Sequence, residues 1–125
     1  DCPWPETQIG REIGYAMDFY PDLEPRVFLS YERDSWYAPE SGLRITFDDA
    51  IRFRTADLTL DSDLWGTALL RPDQVLMELK APGAIPLWMV RLLTEMGLYK
   101  TSFSKYGTAY QILLEQEYKG GKRYA

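Results

Sequence analysis

The sequence has 125 residues, 46% hydrophobic and 26% charged, which is typical of one soluble globular domain. Its 14 basic and 19 acidic residues give a net charge of −5, which argues against a general nucleic-acid binder or a membrane-surface binder. With no histidine and one cysteine, Cys2, histidine-based acid–base catalysis, an internal disulfide and histidine or cysteine metal sites are excluded. No apolar run approaches the ~20 residues of a membrane helix, so we expect no membrane insertion. The cysteine count fits a reducing compartment, so we expect a cytoplasmic protein.

The first predicted elements are a helix and a long strand. The helix begins near Glu6 or Thr7, directly after Pro5, and ends at Pro21, because proline disfavours helical geometry in the residue before it. Residues 26–36 are rich in aromatic and β-branched side chains, which predicts a strand.

The next segments predict a hairpin. Ser41-Gly42 forms a turn, after which residues 43–48 and residues 51–55 both alternate between apolar and polar side chains. We expect these two short strands to pair across Asp49-Ala50.

The middle of the chain predicts an irregular segment, a strand and a helix. Residues 56–73 are irregular, with a short helical turn expected over 63–70, and residues 75–80 form a strand. Pro86 then opens a helix that Gly97 ends. The side chains expected to point inward from this helix are Leu87, Val90, Leu93 and Met96.

A last helix is predicted from Ser104 to Tyr118, ended by Gly120-Gly121 and followed by Lys122-Arg123 as a frayed tail. Its expected apolar face consists of Tyr106, Tyr110 and Leu113. Together the elements predict an α+β fold with a mainly antiparallel β-sheet flanked by helices.

Alternation along the strands divides the predicted sheet into an apolar face and a polar face. The predicted polar face comprises Arg44, Thr46, Asp48, Arg52, Arg54, Glu78 and Lys80. This face either meets water, as in many antiparallel sheets, or lines a cavity that binds an anion. Arginine favours the second interpretation, because its planar guanidinium binds two phosphate oxygens at once.

Two further positions each allow two interpretations. If Ser104 caps the last helix, Lys105 lies in the first turn, where a cation opposes the helix dipole. This is either an ordinary cap beside a solvated lysine or an anion site at the helix N-terminus. Glu78, in the middle of a strand, is either an ion-pair partner or a ligand of Mg²⁺ or Mn²⁺.

Four segments in order resemble the C-terminal half of the VTC domain, the polyphosphate polymerase domain named after the vacuolar transporter chaperone. They are DFYPDLEPRVFLSYERDSW, LRITFDDAIRFR, VLMELK and FSKY. That domain belongs to the CYTH-like superfamily of triphosphate-tunnel metalloenzymes. The resemblance implies that residues 1–125 are a single domain forming half of a tunnel-like β-barrel, the family's first half lying outside this chain.

The resemblance also implies the roles of individual residues. The residues that would contact phosphate are Tyr31, Arg33, Arg44, Ser104 and Lys105. Of these, the cations Arg33, Arg44 and Lys105 would be catalytic, and Glu78 would ligate Mn²⁺ or Mg²⁺. The residues that would be compatible with the tunnel or its rim are Arg52, Arg54 and Lys80. Because Val27 and Leu29 share the phase of Tyr31, we expect their strand to bulge or twist.

The implied activity is polyphosphate polymerase, which transfers the γ-phosphate of ATP to a growing polyphosphate chain with a divalent metal. We expect this chain alone to have little or no activity. The alternatives are a non-catalytic sensor that binds polyphosphate or triphosphate, and a triphosphate hydrolase of the same superfamily. Expected partners are ATP or triphosphate and polyphosphate, no nucleic acid, and a second copy paired through open sheet edges.

Overall fold

The computed structural model describes residues 3–121, which form three helices and four strands. The helices are α1 (Gln8–Phe19), α2 (Leu87–Glu95) and α3 (Lys105–Gly121). The strands are β1 (Phe28–Ala38), β2 (Leu43–Arg54), β3 (Thr67–Ala68) and β4 (Leu76–Lys80). The sheet is antiparallel and not closed, with β2 paired to β1 along one edge and to β3 and β4 along the other. The predicted α+β class is confirmed.

Local capping residues define where the helices begin and end. Thr7 precedes α1, and its Oγ1 accepts a hydrogen bond from the backbone N–H of Gly10 at 3.1 Å. Ser104 caps α3 in the same way, accepting from Gly107 N–H at 3.1 Å. After α2, Gly97 has a φ of 67°, a left-handed conformation that favours glycine. These limits agree with the predicted ones because each depends on residues next to the helix end.

β2 is one continuous strand, so the predicted hairpin across Asp49-Ala50 is wrong. Asp49 stays in the ladder opposite Glu32, and of these two residues just Ala50 has a positive φ, of 46°. The common two-residue hairpin turns need a positive φ at their first residue, which here is Asp49. The chain turns instead before Leu43, where Gly42 has a φ of 68°, as predicted for Ser41-Gly42.

A bulge in β2 reverses the alternation of its side chains. The register places Arg33 opposite Asp48 on one side of the bulge and Leu29 opposite Phe53 on the other. Two residues of β2, Ala50 and Ile51, therefore lie opposite Tyr31 alone. The irregularity expected near Tyr31 exists, but the extra residue belongs to β2 and not to β1.

Because of the bulge, Arg52 and Arg54 lie on the opposite face of the sheet from Arg44, and their predicted place at the tunnel or its rim is wrong. Arg54 is buried, and its Nη1 donates hydrogen bonds to the carbonyl oxygens of Asp63 at 2.8 Å and Trp65 at 3.1 Å. These carbonyls are acceptors that a helix would need for its own hydrogen bonds.

The segment after β2 runs extended into β3. Leu69 N–H donates to the carbonyl oxygen of Ile51 at 2.9 Å, which continues the pairing of β3 with β2. The helical turn predicted over 63–70 is therefore wrong.

The buried faces of α2 and α3 differ from the predicted ones. Met89 is buried in α2 and Ala109 in α3. The side chains that are exposed against expectation are Leu87 and Val90 of α2, Met96 directly after it, and Tyr106 and Tyr110 of α3. The α2 sequence is apolar around most of its circumference, so its periodicity does not fix which side faces inward.

The buried apolar side chains lie mainly on the sheet: Phe28, Leu43, Ile51 and Phe53, with Met89 and Ala109 from the helices. Within residues 3–121, β1 pairs with β2 alone, so its other edge is open. The expected homodimer through such an edge stays a prediction. None of the three helices is long and apolar enough to span a membrane, and the predicted tail Lys122-Arg123 lies outside the described residues.

Candidate functional site

One face of the sheet collects the charged side chains that the sequence singles out. Directly opposite residues share a face, and the register places Arg33 opposite Asp48, and Arg44 opposite Lys80. Lys105 of α3 reaches the same face through Asp48. We call this surface the charged face; its members are Tyr31, Arg33, Ser35, Tyr37, Arg44, Thr46, Asp48, Glu78, Lys80 and Lys105.

At the centre of the charged face, the fully buried carboxylate of Asp48 binds two cations. Arg33 donates from Nε to Oδ1 at 2.6 Å and from Nη2 to Oδ2 at 2.7 Å. The Nζ of Lys105 lies 2.7 Å from the same Oδ2. A bidentate guanidinium–carboxylate pair is among the strongest hydrogen-bonded arrangements in proteins.

The two cations determine the ionisation of Asp48. The hydrogen bond from Arg33 is the main cause that lowers the pKa of Asp48 below its ordinary value, with Lys105 adding to it against the opposing effect of burial. The same hydrogen bond raises the pKa of Arg33. At neutral pH Asp48 and Arg33 are therefore both charged.

The aromatic ring of Tyr31 lies against both cations. The Cζ of Arg33 is 4.9 Å and the Nζ of Lys105 is 4.6 Å from the ring centroid, both within the range of cation–π attraction. The structure thus brings together three predicted site residues from β1 and α3. With Asp48 they form what we call the Asp48 cluster: Tyr31, Arg33, Asp48 and Lys105.

Ser104 and Lys105 occupy the predicted positions at the start of α3. The Oγ of Ser104 accepts the capping hydrogen bond from Gly107, which leaves its hydroxyl hydrogen free to donate. Lys105 lies in the first turn, where the helix dipole disfavours a cation, and Asp48 offsets that cost. The unusual position of the lysine therefore has a partner within the protein.

Arg44 and Lys80 form a second cationic group, about 13 Å from Asp48 along β2, given four residues of strand. They lie directly opposite each other on β2 and β4, where like charges destabilise a sheet. Arg44 is exposed and has no side-chain acceptor within residues 3–121. With Tyr37 and Pro82, the two cations line a shallow cavity of about 330 Å³. An anion in this cavity would relieve the repulsion.

Thr46 lies between the two cationic groups. Its Oγ1 is buried and has no hydrogen-bond partner in the described part of the chain. Buried polar atoms normally have partners, so an unpaired hydroxyl on a cationic surface is a candidate ligand group. Thr46 borders a cavity of about 270 Å³ together with Ser35 and Arg44.

Glu78, the predicted metal ligand, is a single, partly exposed carboxylate. Its Oε1 lies 3.0 Å from the Nζ of Lys80, and its side chain is 41% exposed, so it forms an ion pair but not a buried one. The structure groups no three acidic or cysteine side chains as a metal site within residues 3–121. One carboxylate still fits an ion such as Mg²⁺, which takes most of its other ligands from water and substrate phosphates.

Asp48 is the site residue that the sequence analysis did not assign. Alternation placed it on the same face as Arg44, but the predicted strand ended at Asp48, so nothing marked it as a residue in the middle of a strand, where aspartate is disfavoured. Its contact with Lys105 joins residues far apart in the sequence and depends on how α3 docks. No pattern of neighbouring residues in the sequence predicts the contact between Asp48 and Lys105.

Three comparisons with known proteins give one match, to a family model. Residues 5–114 match the family model described as the VTC domain. Comparison with curated proteins and with solved structures gave no match. The family match covers most of the 125 residues and includes every strand and site residue described above. The chain belongs to the VTC domain family.

Proposed function

We propose that the charged face binds the phosphate chain of triphosphate or inorganic polyphosphate, and that in the complete domain it supports transfer of the ATP γ-phosphate to a growing polyphosphate chain. Membership of the VTC domain family relates the chain to polyphosphate polymerases in general. That this chain binds a phosphate chain and supports phosphoryl transfer is our proposal.

The observation that carries the proposal is the local charge. The charged face holds four cations, Arg33, Arg44, Lys80 and Lys105, and two carboxylates, so its net charge is +2 on a chain whose net charge is −5. Concentrating cations on one surface of an acidic protein costs stability through repulsion, and an extended polyanion offsets that repulsion. The two cationic groups, about 13 Å apart, suit a linear anion better than a single phosphate.

The proposed chemistry requires little more than these groups. Phosphoryl transfer depends mainly on positioning and on stabilising charge at the phosphoryl oxygens, so the absence of histidine is no obstacle. We assign Arg33, Arg44 and Lys105 to the phosphoryl oxygens, with Tyr31 and Ser104 as further phosphate contacts. Glu78 would hold a Mn²⁺ or Mg²⁺ ion, which when bound neutralises phosphate charge as a Lewis acid.

Binding can be tested with Arg44→Ala and a matched control, Arg52→Ala. Both arginines are exposed on β2, but they lie on opposite faces. We expect sodium triphosphate to raise the melting temperature of the wild type and of Arg52→Ala equally, because ligand binding stabilises the folded state. Arg44→Ala should lose roughly tenfold in affinity, as expected for one hydrogen bond to a charged group, and show a smaller rise. An equal rise in all three proteins would contradict a phosphate role for Arg44.

The transfer step needs a separate measurement on the complete protein that carries this domain. We expect incubation with ATP and Mn²⁺ to produce long phosphate chains, resolved by gel electrophoresis and staining, and Arg33→Ala to abolish them. Free phosphate in place of long chains would indicate a triphosphate hydrolase. Binding of triphosphate without either product would indicate a sensor.

A further inference from the structure

We propose that Asp48 is a positioning residue for the phosphate ligand, holding the head groups of Arg33 and Lys105 side by side while their unused N–H donors face the ligand. This inference rests on the proposed function, since it assumes that phosphate binds to the charged face. It concerns a residue that itself contacts no ligand.

The hydrogen bonds of the Asp48 cluster leave most donors free. Arg33 has five N–H donors and uses two on Asp48, and Lys105 has three and uses one. Three donors on Arg33 and two on Lys105 therefore remain. The side chains are 38% and 16% exposed, whereas Asp48 is fully buried, so a ligand can reach the cations but not the carboxylate.

Asp48 holds the positive charges of Arg33 and Lys105 close together before the ligand binds. Arg33 Nη2 and Lys105 Nζ each lie 2.7 Å from the same Oδ2, so they are no further apart than twice that distance. Without an anion between them, charges so close would repel and separate. With Asp48 in place, the cations are already arranged, and binding does not have to bring them together.

The opposite role would be competition, in which Asp48 occupies the cations and phosphate must displace it. The geometry favours positioning, because both carboxylate oxygens are in use and the carboxylate lies beneath the cations in the interior. Displacement would leave a buried, unpaired carboxylate, which is costly. The two roles predict opposite effects when the charge of Asp48 is removed.

The next residue in the chain offers a matched control. Asp49 lies opposite Glu32 in the strand register, on the other face of the sheet, and its side chain is exposed. Asp48→Asn and Asp49→Asn therefore change the net charge equally, and because Asp48 is nearer the proposed ligand, simple electrostatics would raise the affinity of Asp48→Asn for an anion at least as much as that of Asp49→Asn. Weaker binding of triphosphate by Asp48→Asn than by Asp49→Asn therefore measures the loss of the Asp48 cluster.

The first experiment is calorimetric titration of the three proteins with sodium triphosphate at pH 7, after circular dichroism confirms folding. We expect Asp49→Asn to bind as tightly as the wild type or slightly more tightly. Asp48→Asn should bind roughly tenfold more weakly although it is less acidic, because Arg33 and Lys105 are no longer held together. If Asp48→Asn binds as tightly as Asp49→Asn, or more tightly, the positioning role is wrong.

The second experiment follows binding on the wild type, and a variant serves only to assign one signal. The Arg33 Nε–H signal in a ¹H–¹⁵N spectrum, assigned by its loss in Arg33→Lys, should be protected from exchange and should remain so at saturating triphosphate. Loss of protection on binding would mean that phosphate displaces Asp48, which overturns the inference. If triphosphate does not bind to the wild type at all, the proposed function is wrong and the inference falls with it.

Discussion

Two arginines of the β1–β2 pair show how differently one side chain is used on the two faces of the sheet. Arg54 is 3% exposed, and all five of its N–H donors are bonded to the loop that follows β2, four acceptors being backbone carbonyls and one the Oγ of Ser62. Arg33 uses two donors, both on Asp48, and its side chain remains 38% exposed. An arginine with no free donor is structural, whereas one with donors facing solvent can bind a ligand.

The two arginines also differ in their aromatic neighbours. The guanidinium of Arg54 lies 3.7 Å from the ring centroid of Phe28 and 5.0 Å from that of Trp65, so it is enclosed by rings as well as carbonyls. Arg33 has one ring, that of Tyr31, which it shares with Lys105. Arg54 therefore holds a loop in place, and Arg33 forms part of a surface that a ligand can reach.

The largest expected effect concerns Arg54. Replacing it with methionine should lower the free energy of unfolding by about 3 kcal/mol, because several hydrogen bonds to the loop are lost together. Arg52→Met, on an exposed arginine two residues away, should cost less than about 0.5 kcal/mol. Urea denaturation followed by circular dichroism measures both.

Arg54→Lys refines the same test, because lysine keeps the charge but lacks the planar set of five donors. It should recover little of the lost stability, and any Arg54 variant that folds should still bind triphosphate as the wild type does. Equal costs for the Arg52 and Arg54 variants would show that the loop contacts contribute nothing measurable.

Features that depend on neighbouring residues could be predicted from the sequence. The start of α1 followed from Pro5 and that of α3 from Ser104, and in the structure the hydroxyls of Thr7 and Ser104 accept hydrogen bonds within the first turn of each helix. Alternation correctly placed Arg44 and Glu78 on one face, because no irregularity separates the part of β2 that carries Arg44 from β4. Helix limits and the strand phase on that side of the bulge are local properties.

Features that depend on tertiary pairing could not be predicted. An irregularity was expected near Tyr31, but no glycine marks Ala50 as its site in β2, and the bulge there moves Arg54 to the opposite face from Arg44. The contact between Asp48 and Lys105 needs α3 to dock on the sheet, a step that no spacing in the sequence encodes. Tyr31, Arg33 and Lys105 were predicted as site residues, but their arrangement around Asp48 emerged from the structure alone.

The smaller expected effect concerns pH and separates Asp48 from its neighbour. Arg33, followed by Lys105, lowers the pKa of Asp48 in the folded state below its ordinary value of 3.8. The unfolded chain therefore binds more protons in this range, so the stabilisation is complete above about pH 3.8 and is lost as the pH falls through the folded-state pKa. As the pH falls below about 3.8, the melting temperature of the wild type and of Asp49→Asn should fall, and that of Asp48→Asn should start lower and fall less. Parallel curves for all three proteins would mean that the carboxylate of Asp48 does not stabilise the fold through Arg33, and the contrast with Arg54, which binds neutral carbonyls and a hydroxyl, would then lose its basis.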